Sequence, residues 1–267
     1  MNRLGQVIGH RGASAYAPEN TLAAFEAAKN FGCKFIEFDV VQSLDGELFI
    51  FHDTFLQRTT NGKGNIYETH SDYIRSLDAG NWFQNKFLGC KIPTLAETLV
   101  WLNKHDIYAN IEIKPLPGRE LSITKAVIKH IEDYWPNHKP LPLVSSANYT
   151  VLLLSSKLKP NLPLGMLIHN WTKDWLSLAK RINCVSININ HKIANKKWIK
   201  SILFHGFDVC IYTVNSKIRA NKFFKWGVKA VFSDYPNLLE GIKLKDFIRH
   251  NLRLFSRCRL MWSKNND

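Results

Sequence analysis

The stretch Phe35-Ile36-Glu37-Phe38-Asp39-Val40-Val41-Gln42-Ser43-Leu44-Asp45-Gly46-Glu47-Leu48-Phe49-Ile50-Phe51-His52-Asp53 decides how the rest of the chain is counted. Both of its arms are rich in aromatic and β-branched residues, and Asp45-Gly46 between them is a hairpin-turn pair. A parallel crossover needs roughly a dozen residues or more, and only five separate Val41 from Glu47. Residues 40–51 therefore read as an antiparallel hairpin, whose second arm stands outside the main strand series. That hairpin returns His52 towards the strand carrying Glu37 and Asp39.

With that arm set aside, eight strand-like runs remain: residues 6–9, 35–41, 108–114, 143–147, 164–169, 184–189, 209–214 and 230–233. Helical patterns lie between them. Those at residues 20–31, 94–104 and 174–182 open on Asn20, Thr94 and Asp174, all suited to cap a helix N-terminus. Residues 121–134, 193–204 and 216–226 are similarly amphipathic. Alternating strands and helices predict parallel pairing, and eight is the number that closes a (β/α)8 TIM barrel. The runs are nearly continuous in apolar residues, as in strands covered by helices. Residues 53–93 fit no barrel element and read as a small inserted subdomain over the mouth. The barrel domain is placed at residues 1–241, followed by a basic tail or amphipathic helix at 242–267.

The chemistry concentrates at predicted strand ends. Glu37 and Asp39 are two apart on one strand and so share a face. Two such carboxylates repel unless a cation lies between them, and hard oxygen ligands suit Mg²⁺ or Ca²⁺. Glu112 ends a second strand, with Lys114 at the same phase. Active sites of (β/α)8 barrels are built at that end. His10 and Arg11 close the first strand before a Gly12 turn, where Arg11 can grip a phosphate by two parallel hydrogen bonds. His10 and His52 can then serve as general base and general acid. Asp53 reads first as a turn or cap residue. His169 ends a strand without a partner in sequence.

The chain has 267 residues and a formal net charge of +14. Such a field attracts polyanions, anionic membranes and phosphorylated metabolites alike. No nucleic-acid recognition motif accompanies it, so a non-catalytic nucleic-acid-binding barrel ranks below an enzyme. Five scattered cysteines without CxxC spacing give neither a disulfide framework nor a zinc site. With no apolar stretch of signal-peptide or membrane-span length, a cytoplasmic location is expected. The basic residues interleaved with apolar ones after Lys243 leave room for peripheral membrane contact.

These motifs, taken in order, resemble the glycerophosphodiester phosphodiesterase family. The residues that carry the resemblance are His10-Arg-Gly-Ala13, Pro18-Glu-Asn-Thr21, Glu37-Phe-Asp39, Asp45-Gly46, His52-Asp53, Arg58-Thr-Thr-Asn-Gly62, Leu77-Asp-Ala-Gly80, Ile92-Pro-Thr-Leu95, Glu112-Ile-Lys114, Thr213-Val-Asn215 and Ser233-Asp-Tyr-Pro236. The resemblance implies a TIM barrel with an insertion and a divalent metal held by Glu37, Asp39 and Glu112. It implies acid/base catalysis by His10 and His52, and phosphate binding by Arg11 and Lys114. The implied reaction is hydrolysis of a glycerophosphodiester to glycerol 3-phosphate and an alcohol. The alternative within enzymes is a lysophospholipase D or phospholipase-type phosphodiesterase at a membrane. Tyr212 stands where tryptophan is usual in the family, Ser146-Ala147 replaces a common Ser-Phe, and Cys90 replaces an acidic residue.

Overall fold

The computed structural model describes residues 7–239. Eight parallel strands form a closed barrel: β1 (Val7–His10), β2 (Phe35–Gln42), β4 (Tyr108–Ile113), β5 (Leu143–Ser146), β6 (Leu164–Ile168), β7 (Ser186–Asn190), β8 (Asp208–Tyr212) and β9 (Ala230–Ser233). Closure comes from β1, which pairs with β2 on one side and β9 on the other. The ninth strand, β3 (Leu48–Ile50), runs antiparallel to β2 with Val40 opposite Ile50, so the hairpin reading holds.

Helices α1 (Leu22–Asn30), α3 (Leu95–Lys104), α4 (Glu120–Tyr134), α5 (Tyr149–Leu158), α6 (Trp175–Arg181), α7 (Lys196–Phe204) and α8 (Lys217–Lys225) cover the outside, and α9 (Pro236–Leu239) follows β9. Thr94 caps α3 in a reciprocal box with Glu97, which accounts for Thr94 in Ile92-Pro-Thr-Leu95. Helix α5 has no counterpart in the sequence reading. Asn148 caps it by accepting from Val151 N–H, but its apolar Leu152-Leu153-Leu154 run blurs the helical stripe.

Two apolar layers result. Barrel strands and helices share the main core, with Phe25, Phe38, Ile111 and Val209 fully buried. Inside the barrel, Ile8, Phe35, Cys210, Ala230 and Phe232 close the lower part, and Tyr108 and Tyr212 pack on them. Cys184 and Cys210 are buried free thiols, as the sequence implies, and burial pushes both up to about 12.

The insertion is ordered around its own cluster of Val41, Phe49, Phe51, Leu56, Ile66, Tyr67, Ile74, Leu77, Ala79 and Ile92. It contains helix α2 (Ser71–Ser76) and three short 3₁₀ turns. Two of the motifs quoted above prove structural here. Asp78 accepts from the Gly80 and Asn81 N–H groups, and a Cβ on Gly80 would lie 1.9 Å from the Phe87 carbonyl oxygen. Asn61 accepts from Asp78 N–H at 2.8 Å, tying the two motifs together. No helix among the described residues is long and apolar enough to cross a membrane. The tail at residues 242–267 lies outside the described residues.

Candidate active site

Residues of like parity on neighbouring strands face the barrel axis, and the last of them on each strand form the mouth. Asp39 is in register with Glu112, and His10 with Glu37, so strand pairing itself brings these four together. Ligand oxygens of Glu37, Asp39 and Glu112 all lie within 4.8 Å of one another. Glu37 and Asp39 are 3% and 1% exposed. Burial, reinforced by Asp39 and Glu112, holds the Glu37 carboxyl well above the usual range. Glu112 is raised by burial and by Asp39, with Lys114 opposing. Asp39 goes the other way. Burial works against its charge, but Lys114 and Arg11 outweigh that and hold it at about 2. Three oxygen donors that repel one another, two of them buried and Glu112 partly buried, fit a hard divalent cation.

The loop after β1 is shaped for this cluster. Arg11 and Asn20 are both left-handed, at φ 54° and 58°. Each such non-glycine residue costs roughly 1–2 kcal/mol. Hydrogen bonds hold them there. Arg11 N–H donates to Glu37 Oε2 at 3.0 Å, Asn20 N–H donates to the Arg11 carbonyl at 3.1 Å, and Asn20 Nδ2 donates to Asp39 Oδ2 at 2.9 Å. Gly12, at φ 86°, has no room for a side chain, since a Cβ would lie 2.6 Å from the Ala24 carbonyl carbon. Glycine here lets the chain turn tightly against α1.

Both histidines are braced. His10 Nδ1 is 2.6 Å from Asp234 Oδ1, leaving Nε2 4.0 Å from Glu37 Oε2. His52 Nδ1 is 2.6 Å from Asp53 Oδ1. The hairpin delivers His52, because Phe51 N–H donates to the Asp39 carbonyl at 3.0 Å. Burial lowers the pKa of His52, with Asp39 opposing. Asp53 is therefore more than the turn residue its sequence position implied: it is the partner of His52. Arg58 bonds both Asp53 and Glu19, through Nη2–Oδ1 at 3.0 Å and Nη1–Oε2 at 2.9 Å. Burial opposes ionisation of Asp53, but Arg58 and His52 hold it at about 2.

Arg11 and Lys114 also reach the cluster. Arg11 Nη1 donates to Glu19 Oε1 at 2.7 Å, and its Nε, 3.4 Å from Asp39 Oδ2, is buried without a hydrogen-bond partner. Lys114 Nζ lies 3.1 Å from Glu112 and 3.4 Å from Asp39. All seven residues singled out in the sequence thus surround one mouth. Three roles were missed. Asp234 is braced by Ser14, Asn215 and His10, and follows β9, which closes the barrel against β1. Its signal was Ser233-Asp-Tyr-Pro236 at a strand end. Glu19 and Asn20, in Pro18-Glu-Asn-Thr21, tie Arg11 and Asp39 in place. On the opposite wall, His169 has a partner after all, with the Tyr212 hydroxyl 3.0 Å from its Nδ1.

Comparison with known proteins places the chain in a family. Residues 10–238 match the model of the glycerophosphoryl diester phosphodiesterase family. A glycerophosphodiester phosphodiesterase of Bacillus subtilis is 33% identical over 254 residues, spanning 88% of this chain and 85% of its own length. One from Caldanaerobacter subterraneus is 34% identical, spanning 90% of this chain and 98% of its own. Among solved structures, an Oleispira antarctica phosphodiesterase in complex with the product sn-glycerol-3-phosphate superposes with a TM-score of 0.86 at 35% identity. The match covers 89% of this chain and 96% of that one.

Proposed function

Because the chain belongs to the glycerophosphoryl diester phosphodiesterase family and is a glycerophosphodiester phosphodiesterase, we propose that it releases glycerol 3-phosphate and an alcohol by two-histidine acid/base catalysis beside a divalent cation. One observation carries this reading: two carboxylate-braced histidines and three clustered, mutually repelling carboxylates share one barrel mouth. The product bound to the Oleispira antarctica relative supports the substrate class.

Glu37, Asp39 and Glu112 would hold Mg²⁺ or Ca²⁺, which supplies positive charge where a phosphodiester transition state is most negative. Arg11 and Lys114 bind the phosphoryl oxygens. Asp234 and Asp53 fix the Nδ1–H tautomer of His10 and His52, which leaves each Nε2 to exchange a proton. One histidine deprotonates the attacking oxygen: either water, which gives glycerol 3-phosphate directly, or the substrate's own 2-hydroxyl, which gives a cyclic phosphate that water then opens to glycerol 3-phosphate. The other protonates the departing alcohol. Each transfer is worth about 10²–10⁴-fold in rate.

The test is release of glycerol 3-phosphate from glycerophosphocholine. Turnover is expected to vanish with a chelator and to return with Mg²⁺ or Ca²⁺. Full turnover in the chelator would overturn the metal assignment.

A further inference from the structure

Among the described residues, the net positive charge lies on one side of the barrel. Residues 171–229 carry twelve Lys and Arg against two acidic residues, Asp174 and Asp208. Residues 1–170 are nearly balanced, with seventeen basic and sixteen acidic. The basic segment is α6, α7 and α8 with their connecting loops, which are consecutive on the outside because β6, β7 and β8 pair in that order. Eleven of its twelve cations are exposed, and Lys229 pairs with Asp208.

The two most exposed large apolar side chains among the described residues lie in the same sector: Phe204 at 86% and Ile218 at 82%. Phe204 ends α7 and Ile218 lies in the first turn of α8, so they sit near opposite ends of two neighbouring helices, roughly 10 Å apart along the axis. Exposed Lys200, Lys222 and Lys225 lie on the helices between these ends. A largely apolar groove runs along the outer side of α8, lined by Ile218, Asn221, Lys222, Lys225 and Trp226.

Charge decides the occupant. The tail at residues 240–267 carries seven basic and three acidic residues, so its charge has the same sign as this face and does not complement it. A nucleic acid would answer the lysines but offers nothing to an outward aliphatic Ile218. An anionic bilayer answers both, since its headgroups attract lysine and its acyl boundary takes Phe and Ile. We propose that the α6–α8 side of the barrel docks on anionic lipid surfaces, with Phe204 and Ile218 as apolar anchors within a lysine field. The helix axes then lie along the bilayer, which leaves the mouth open at the side to dissolved substrate. This inference stands independently of the catalytic assignments.

The experiment is co-sedimentation of the full chain with vesicles of phosphatidylglycerol or of phosphatidylcholine alone. Two variants accompany it, F204S/I218S and K196Q/K197Q/K200Q, with unchanged turnover of a soluble glycerophosphodiester as the fold control. Wild type is expected to bind the anionic vesicles and not the zwitterionic ones. Removing the anchors should weaken partitioning at least ten-fold, and each lysine lost should weaken it about five-fold. The proposal is overturned if wild type ignores anionic vesicles, or if both variants bind as wild type does. It is equally overturned if F204S/I218S binds normally while the lysine variant loses both vesicles and a DNA duplex, which would mark a general polyanion surface.

Discussion

His10 Nδ1 and Asp234 Oδ1 meet at 2.6 Å although 224 residues separate them in sequence. The contact exists because β9 closes the barrel against β1 and ends beside it. His52 and its sequence neighbour Asp53 make the same 2.6 Å contact by a local route. On the proposed mechanism each carboxylate is a positioning residue that fixes an imidazole. Asp234→Asn should therefore lower kcat about 10²-fold and leave KM within a few-fold, while the metal requirement persists. Steady-state kinetics at saturating Mg²⁺ or Ca²⁺ check this, and unchanged kcat would remove Asp234 from the mechanism.

Asp234 also makes the fold acid-sensitive. Burial opposes its ionisation, but the hydrogen bond and charge of His10, with Asn215 and Ser14, hold its pKa at about 2 against 3.8 in the unfolded chain. A depressed carboxyl contributes stability that is full above the unfolded value and is lost as pH falls through the folded one. Wild type should thus lose about 2 kcal/mol between pH 4 and pH 2 that Asp234→Asn does not lose. Denaturant titrations at the two pH values measure the difference.

Glu37 makes the opposite prediction. Burial and its two carboxylate neighbours disfavour its charge, so Glu37→Gln should raise the melting temperature of the metal-free protein by a few degrees at neutral pH. The amide oxygen can still accept from Arg11 N–H. The same variant should lose the thermal stabilisation that divalent cations give wild type. Scanning calorimetry with and without Mg²⁺ or Ca²⁺ reads both effects. A lower metal-free melting temperature would show that the repulsion is absent.

Gly12 is required twice, by its φ of 86° and by the Ala24 backbone 2.6 Å from where a Cβ would stand. Gly12→Ala should destabilise the protein by about 3 kcal/mol or more and displace the Arg11 loop. Chemical denaturation gives the magnitude.

Much of the site was legible in sequence for definite reasons. Strand parity put Glu37 and Asp39 on one face, and a five-residue gap forced the hairpin that returns His52. Glu112 and Lys114 followed from ending another strand of the same series. Asp234 stood in a quoted motif at a strand end, but its pairing with His10 was not legible, because barrel closure sets it and that is the pairing most distant in sequence. Asp53 was read as a turn residue because the His-Asp spacing alone cannot say which way either side chain faces. Helix α5 was missed because its apolar run carries no clear stripe. Leu77-Asp-Ala-Gly80, one of the motifs that carry the family resemblance, serves the insertion's backbone.

The convergence of His10 and His52 on one substrate is the claim on which the account rests. Initial rates of glycerol 3-phosphate release from glycerophosphocholine by wild type, His10→Ala, His52→Ala and the double variant test it most directly. Groups acting on one reacting centre are strongly non-additive, so each single variant should lose about 10²–10⁴-fold in kcat and the double variant little more than the worse single. Wild-type turnover in either single variant, or losses that multiply in the double variant, would contradict the account.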